Sequence, residues 1–530
     1  MSTSTASTMM YKINKTSARS KVGVRFTNDD DGNLIVYKLA SGGLAASNGL
    51  KEGDYVTEIN GVSVSNEVGH VAAKMVREAE GELNIVTATS LPAEEELDAG
   101  LDFGTSFDLE IAHSTIHETS EEKVREEATV NHFPLSFILF VIQGFVALVL
   151  CTNFDYGDLD VFATSKYIVF RDIMVMLLLG FGYLMTFLEK YGLGAVGFTM
   201  LITVINMQCS LMLEAWLTPG ASLTISLDSI INAEFSAAAL LISFGALIGR
   251  TTPIEMCIIA VVESIFYTFN KVVIVFGYLK AEDVGGTITI HMFGAFFGLA
   301  CAYALGPQKD ASKDNNSASR VSDVFSLLGT TLLWVYWPSF VGATETGVTL
   351  NEMHCSTNTI MALLGSTCAT FFLSQYLNNG KFDVVHVQNS TLAGGVAIGA
   401  TARLALSPGI AFLVGLGSGL VSVLGYVYSS PFLEKKFSIF DTCGVGNLHG
   451  YPSVFGGLAS ILLVFIDGHA DFLNYSIGMQ SIIQLLAVLA TLTMAIVTGY
   501  ITGSTFLGQS SNYATVIDYE DAVWWIDVDE

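Results

Sequence analysis

Charge is what this sequence has least of: only 14% of its residues are Asp, Glu, Lys or Arg, against about 25% in soluble globular proteins. Positive charge is scarcer still, with 24 Lys and Arg against 50 Asp and Glu and a formal net charge of −26. That balance excludes nucleic acid as a natural partner. The 7 cysteines form no CxxC pair, which excludes a disulfide framework or a zinc ribbon as the organising element. The first 20 residues contain no apolar core of the kind that marks a secretory signal. Disorder is excluded by the 51% hydrophobic content, because disordered chains combine low hydrophobicity with high net charge.

What is there is apolar and long. Near-spanning stretches run almost without a break from 134 to 501, and roughly 20 apolar residues cross a bilayer core as a helix. Twelve candidates stand out: 133–154, 167–188, 192–216, 228–248, 253–278, 285–306, 322–342, 356–376, 385–404, 409–429, 446–466 and 479–503. The acidity lies mostly elsewhere: residues 1–130 carry −11, 131–503 carry −9 and 504–530 carry −6. The short loops on one side hold Lys190, Arg250, Lys309, Lys313, Arg320, Lys381, Lys435 and Lys436, while those on the other hold Lys166, Lys280 and Arg403. The positive-inside rule then puts both termini in the cytoplasm, with the sequon at Asn474 outside and that at Asn315 inside.

The chain divides into a flexible terminus (1–20), a small soluble module (21–91), an acidic linker (92–130), the apolar domain (131–505) and an acidic tail (506–530). The module reads as short strands with one helix near 69–79. Its run GGLAASNGLKEGDYVTEINGVSV resembles the central signature of PDZ domains. The resemblance implies capture of a C-terminal peptide by strand addition and backbone amides. It maps the carboxylate loop to Lys21, Val22, Gly23 and Val24, which depart from the usual Gly-Leu-Gly-Phe, and the ligand-selecting helix position to Val68 or His70.

Titratable residues inside spans are rare and mark pathways by default. One pattern occurs twice. Asp283 precedes His291 by eight residues in DVGGTITIH, and Asp441 precedes His449 by eight in DTCGVGNLH. The histidines fall in the sixth and eleventh candidate spans, five steps apart, so the segments cross in opposite directions, as inverted repeats with a midplane site require. Glu214, Glu263 and Lys271 also fall in or near spans, the last two eight apart on one of them; structural ion pairs with other helices are the preferred reading, with a pathway role as the alternative.

GFGYLMTFLEKYG, DVGGTITIHMFGAFFGL, LLGTTLLWVYWPSF, FDVVHVQNSTLAGGVAIG and DTCGVGNLHGYPSVFGGLAS are similar, in order, to segments of the Rh branch of the Amt/Mep/Rh ammonium transporters. The resemblance implies an all-α polytopic fold of about twelve helices in two inverted five-helix repeats, assembled as a homotrimer without cofactor or metal. It implies a non-enzymatic pathway for ammonium or ammonia, with CO2 as an alternative cargo. A sensor or scaffold working through the PDZ-like module is a further alternative. By the resemblance His291 and His449 line the pore, Phe235 and Phe340 gate its outer end, Asp283 is the buried acid under the recruitment site, and Asp441 is the acid near the cytoplasmic exit. Glu234 stands where Asp is more usual, and Val341 where Asn is usual. The plasma membrane is the expected location.

The residue types suit the task. Ammonium and potassium share size and charge, but only ammonium has a proton to lose. An apolar lumen penalises any ion by several kcal/mol, and neutral ammonia escapes most of that penalty. Two neutral imidazoles add a line of donors and acceptors.

Overall fold

The computed structural model describes residues 8–88 and 133–526 with breaks, the longest at 16–21, 29–33, 65–75, 308–317, 468–474 and 508–520. It forms two compact units, residues 1–114 and 115–530.

In the first unit the strands β1 (Thr8–Lys15), β2 (Val24–Asn28), β3 (Leu34–Leu39), β4 (Tyr55–Ile59), β5 (Val62–Ser63) and β6 (Gly81–Ala88) form one antiparallel sheet. The order is β1-β6-β4-β3-β2, with β5 on β4. Alternate residues such as Leu34 and Val36, and Leu83 and Ile85, enter the core with Val56 and Ile59, as the period of two requires. The reading of residues 1–20 as a flexible terminus is corrected. Thr8–Lys15 pairs along its whole length with β6, so Ile13 is a core residue, and its strand was hidden by polar neighbours. Of the expected helix near 69–79 the structure describes Val76, helical and buried in the core; Val68 and His70 lie outside the described residues, as do Lys21 and Gly23. Val22 is buried and its carbonyl accepts the Ala45 amide. Val24 opens β2, the strand at the sheet's edge.

The second unit is helical. Eleven helices among the described residues are long and apolar enough to cross a membrane. Several start where side chains can close the first turn: Ser226 with Ser229, Thr252 with Glu255, and Ser319 with Ser322 form capping boxes. The helix Leu227–Leu247 is enclosed on nearly every side, with 89% of its most apolar stretch buried, so it forms the centre of the packing. Phe133–Asn153 is the opposite case, with Phe140 and Leu148 largely exposed, a face made for lipid or a neighbouring copy. Small residues let the helices approach closely: a Cβ at Gly415 would fall 1.9 Å from the Ala362 carbonyl oxygen.

The helix Gly192–Leu217 has no capping side chain at Tyr191. Its cap comes from the tail. The Asp521 carboxylate accepts the Leu193 and Gly194 amides at 2.6 and 2.7 Å, and Trp525 fills the space over Gly197. Burial pushes the Asp521 carboxyl up to about 6, with both amides pulling it the other way.

The candidate span 385–404 is corrected. It is two short helices, Val384–Ser390 and Ala393–Ile398, followed by turns. Asp383 caps the first helix through the Val385 and His386 amides. The His386 ring packs on Tyr426, whose hydroxyl donates to the Gly444 carbonyl, while Gly399 at the far end accepts the Gly285 amide. The segment therefore runs between the loops of Asp441 and Asp283, although no single helix in it has spanning length. Gly285 and Gly286, by contrast, separate two full spans, Pro253–Leu279 and Thr287–Leu305.

Candidate functional site

Each histidine sits on a π-helical turn whose start is held by its own aspartate. Asp283 accepts the Ile288 amide at 3.0 Å, the Thr289 amide at 2.7 Å and the Thr289 hydroxyl at 2.8 Å. Three residues after it, Gly286 turns the chain with φ 72°, where a Cβ would fall 2.3 Å from Ile290 Cδ1. His291 follows in the turn Thr287–Met292. The second copy repeats each part. Asp441 accepts the Val445 and Gly446 amides at 2.9 and 2.7 Å, Gly444 turns with φ 72°, and His449 follows in Gly446–Gly450. The shared spacing is therefore Asp-x-x-Gly-x-x-x-x-His. Both acids accept backbone amides, the geometry of helix caps.

The two turns bring the imidazoles together. Their ring centroids lie 5.2 Å apart and nearly parallel, with Nδ1 to Nδ1 at 3.2 Å. One proton serves that contact, so one ring donates and the other accepts. Both histidines are almost wholly buried, and His291 Nε2 has no protein partner. Phe340 packs on His291 at 5.9 Å, and Phe235 packs edge-on to Phe340 at 5.1 Å. Two further aromatics complete the column: Trp337 stacks on His291 at 5.5 Å and Phe181 on His449 at 6.0 Å. Neither was found from the sequence. Trp337 stands three residues before Phe340 on the same helix, the spacing that puts two side chains on one face, and that was its only signal.

A cavity of about 520 Å³ lies beyond Phe235, walled by Glu214, Lys271, Glu282, Asp283, Glu345 and Arg403 among others. A smaller one, about 50 Å³, lies at Asp441, Gly446 and Asn447. Neither lining includes a histidine, so the ring pair sits between the two. Arg403 bridges Glu282 and Glu345. Lys271 pairs with Glu214 on a neighbouring helix, at 3.2 Å, whereas Glu263 meets the Ser243 hydroxyl instead of a cation. Glu234 is buried with neither carboxyl oxygen hydrogen-bonded within the protein. Val341 does not line the cavity: it packs against Gly285, where a Cβ would fall 2.6 Å from the Gly399 Cα and 2.7 Å from Val341 Cγ1.

A profile of the Ammonium Transporter Family matches residues 137–509, and one of the PDZ domain matches residues 11–88. Ammonium transporter Rh type B of Danio rerio is 38% identical over 384 residues, 68% of this chain and 82% of that protein. Ammonium transporter Rh type C of Bos taurus is 37% identical, again over 68% and 82%. Among solved structures, Rh50 of Nitrosomonas europaea superposes with TM-score 0.62 at 34% identity, covering 70% of this chain and 93% of that one. Mep2 of Saccharomyces cerevisiae, at 16% identity and TM-score 0.54 over 65% and 87%, shares the fold. By these likenesses the membrane-embedded part of the chain belongs to the Ammonium Transporter Family, on its Rh branch, and a PDZ domain precedes it.

Proposed function

We propose that the protein recruits ammonium in the cavity outside Phe235, where the ion gives up its proton to water on the same side, and passes neutral ammonia along the His291–His449 pair. The observation that carries this reading is the hydrogen-bonded imidazole pair, buried between two cavities and flanked on both sides by aromatic rings. Phe235 and Phe340 close the outer end; a ring face adds ~0.5–2 kcal/mol of attraction for a cation without admitting water. Inside, a bare ion meets a low-dielectric lumen, while ammonia finds nitrogen donors and acceptors. Asp283 and Asp441 act on this pathway by fixing the two turns that carry the histidines. The exposed apolar helix faces suit a homotrimer embedded in a membrane, the plasma membrane in this reading, and the excess of Lys and Arg in the loops on one side favours both termini in the cytoplasm.

The edge position of β2 favours a second role beside transport: a peptide added to that edge would couple the pore to a cytoplasmic partner.

Flux into vesicles of purified protein tests the reading against CO2. Ammonium gradients should alkalinise the lumen at a rate well above that of protein-free vesicles, with methylammonium following more slowly. CO2 entry should match the protein-free rate. Acceleration of CO2 alone would replace ammonia as the cargo.

A further inference from the structure

The outer cavity already contains an ammonium group of its own. Lys271 lies on the π-helical stretch Phe269–Leu279, with its side chain 8% exposed. Its Nζ donates to Asn232 Oδ1 at 2.7 Å, reaches the two Glu214 oxygens at 3.2 and 3.4 Å, and stands 5.8 Å from the centre of the Phe235 ring. A primary ammonium carries the same charge and the same kind of N–H donors as the ammonium ion, and it seeks the same ring face.

The remaining charges on the wall are Lys280, which is exposed, and the groups gathered about Arg403 and Asp283. Arg403 is held between Glu282 and Glu345, and the Asp283 carboxylate is turned to the amides of Ile288 and Thr289. Glu214, partly exposed, is the carboxylate left beside the gate ring, and Lys271 is what it holds. The pair lines an open cavity rather than a packed core, so substrate and Lys271 meet the same acceptors.

We infer that Lys271 is a specificity-determining residue: its ammonium holds the cation position over Phe235, so that a free cation must compete with it. This rests on the transport reading above. The consequence is a weak apparent affinity for the cationic form, set by the balance of Glu214 and Lys271, while entry of the neutral base is less affected.

Concentration dependence of methylammonium uptake by the full-length protein in vesicles, at one fixed pH, tests this. In Lys271→Gln the half-saturating concentration should fall by roughly three- to tenfold, the scale of one unit charge a few ångströms away in a partly aqueous site. In Glu214→Gln it should rise by a similar factor. The double variant should return near the parent value, and Lys271→Arg should keep it. Opposite shifts that cancel are not what a folding defect produces, and the Glu214 variant still reads the charge if Lys271→Gln does not assemble. A Lys271→Gln value within about twofold of the parent, or shifts of both single variants in one direction, overturns the inference. Absence of protein-dependent uptake in the parent would instead overturn the transport reading beneath it.

Discussion

Replacing Asp283 by alanine should destabilise the protein by about 3–5 kcal/mol and abolish conduction. The residue is 2% exposed, and its carboxylate is the acceptor for the Ile288 amide, the Thr289 amide and the Thr289 hydroxyl. All three donors are buried. Each donor left without a partner costs ~1–3 kcal/mol, and hydrogen bonds to a charged group lie at the upper end. The local turn cannot compensate, because Gly286 already directs its carbonyl to the amides of Ile290 and His291. His291, two residues beyond Thr289, would lose its fixed place. Asp283→Asn keeps one acceptor oxygen and should fall between parent and alanine variant. Asp441→Ala removes the acceptor of two amides and should be milder. Thermal unfolding in detergent, read beside vesicle flux, checks the series. A parent-like midpoint and flux for Asp283→Ala would show that the acid is not the cap described.

The second large effect is on the pathway itself. His291→Ala combined with His449→Ala should leave assembly intact, since the nitrogen contact the rings make is chiefly with each other. It should lower ammonia flux by about ten- to a hundredfold, because a buried donor or acceptor without a partner costs ~1–3 kcal/mol and ammonia would pass the midpoint unpartnered. The single variant His291→Ala keeps His449 stacked on Phe181 and should retain part of the rate. Gel-filtration profiles establish assembly, and stopped-flow alkalinisation gives the rates. Unchanged ammonia uptake with unchanged potassium exclusion would remove the histidines from the pathway.

Much of the site could be read from the chain because its two halves repeat locally. Asp and His eight apart, seen twice, pointed to two turns of one design, and the structure adds the glycine at the third position as the reason the spacing is fixed. The span start at 253 was legible, and the structure supplies its cause: Thr252 and Glu255 close the first turn around Pro253. The gate phenylalanines came from the family resemblance, since 34 phenylalanines offer no local signal for two of them. Contacts between distant segments were not legible. Phe181 meets His449 across the fold, and although a pair between Lys271 and another helix was expected, nothing in the chain marked Glu214 as the partner. Hydropathy also cannot distinguish a long helix from a broken one: 385–404 is apolar enough to span, yet it folds as two short pieces packed against neighbours. The strand β1 escaped for the opposite reason, its buried Ile13 standing between Lys12 and Asn14 in a stretch with no clear apolar alternation.

Neutral passage is the central claim, and charge counting tests it most directly. Current and luminal pH are recorded together in vesicles holding the full-length protein, under an inward ammonium gradient at a clamped potential. The expected result is rapid alkalinisation with no current above that of protein-free vesicles, unaffected by potassium. An inward current that scales with the gradient and carries one charge for each nitrogen taken up would contradict it.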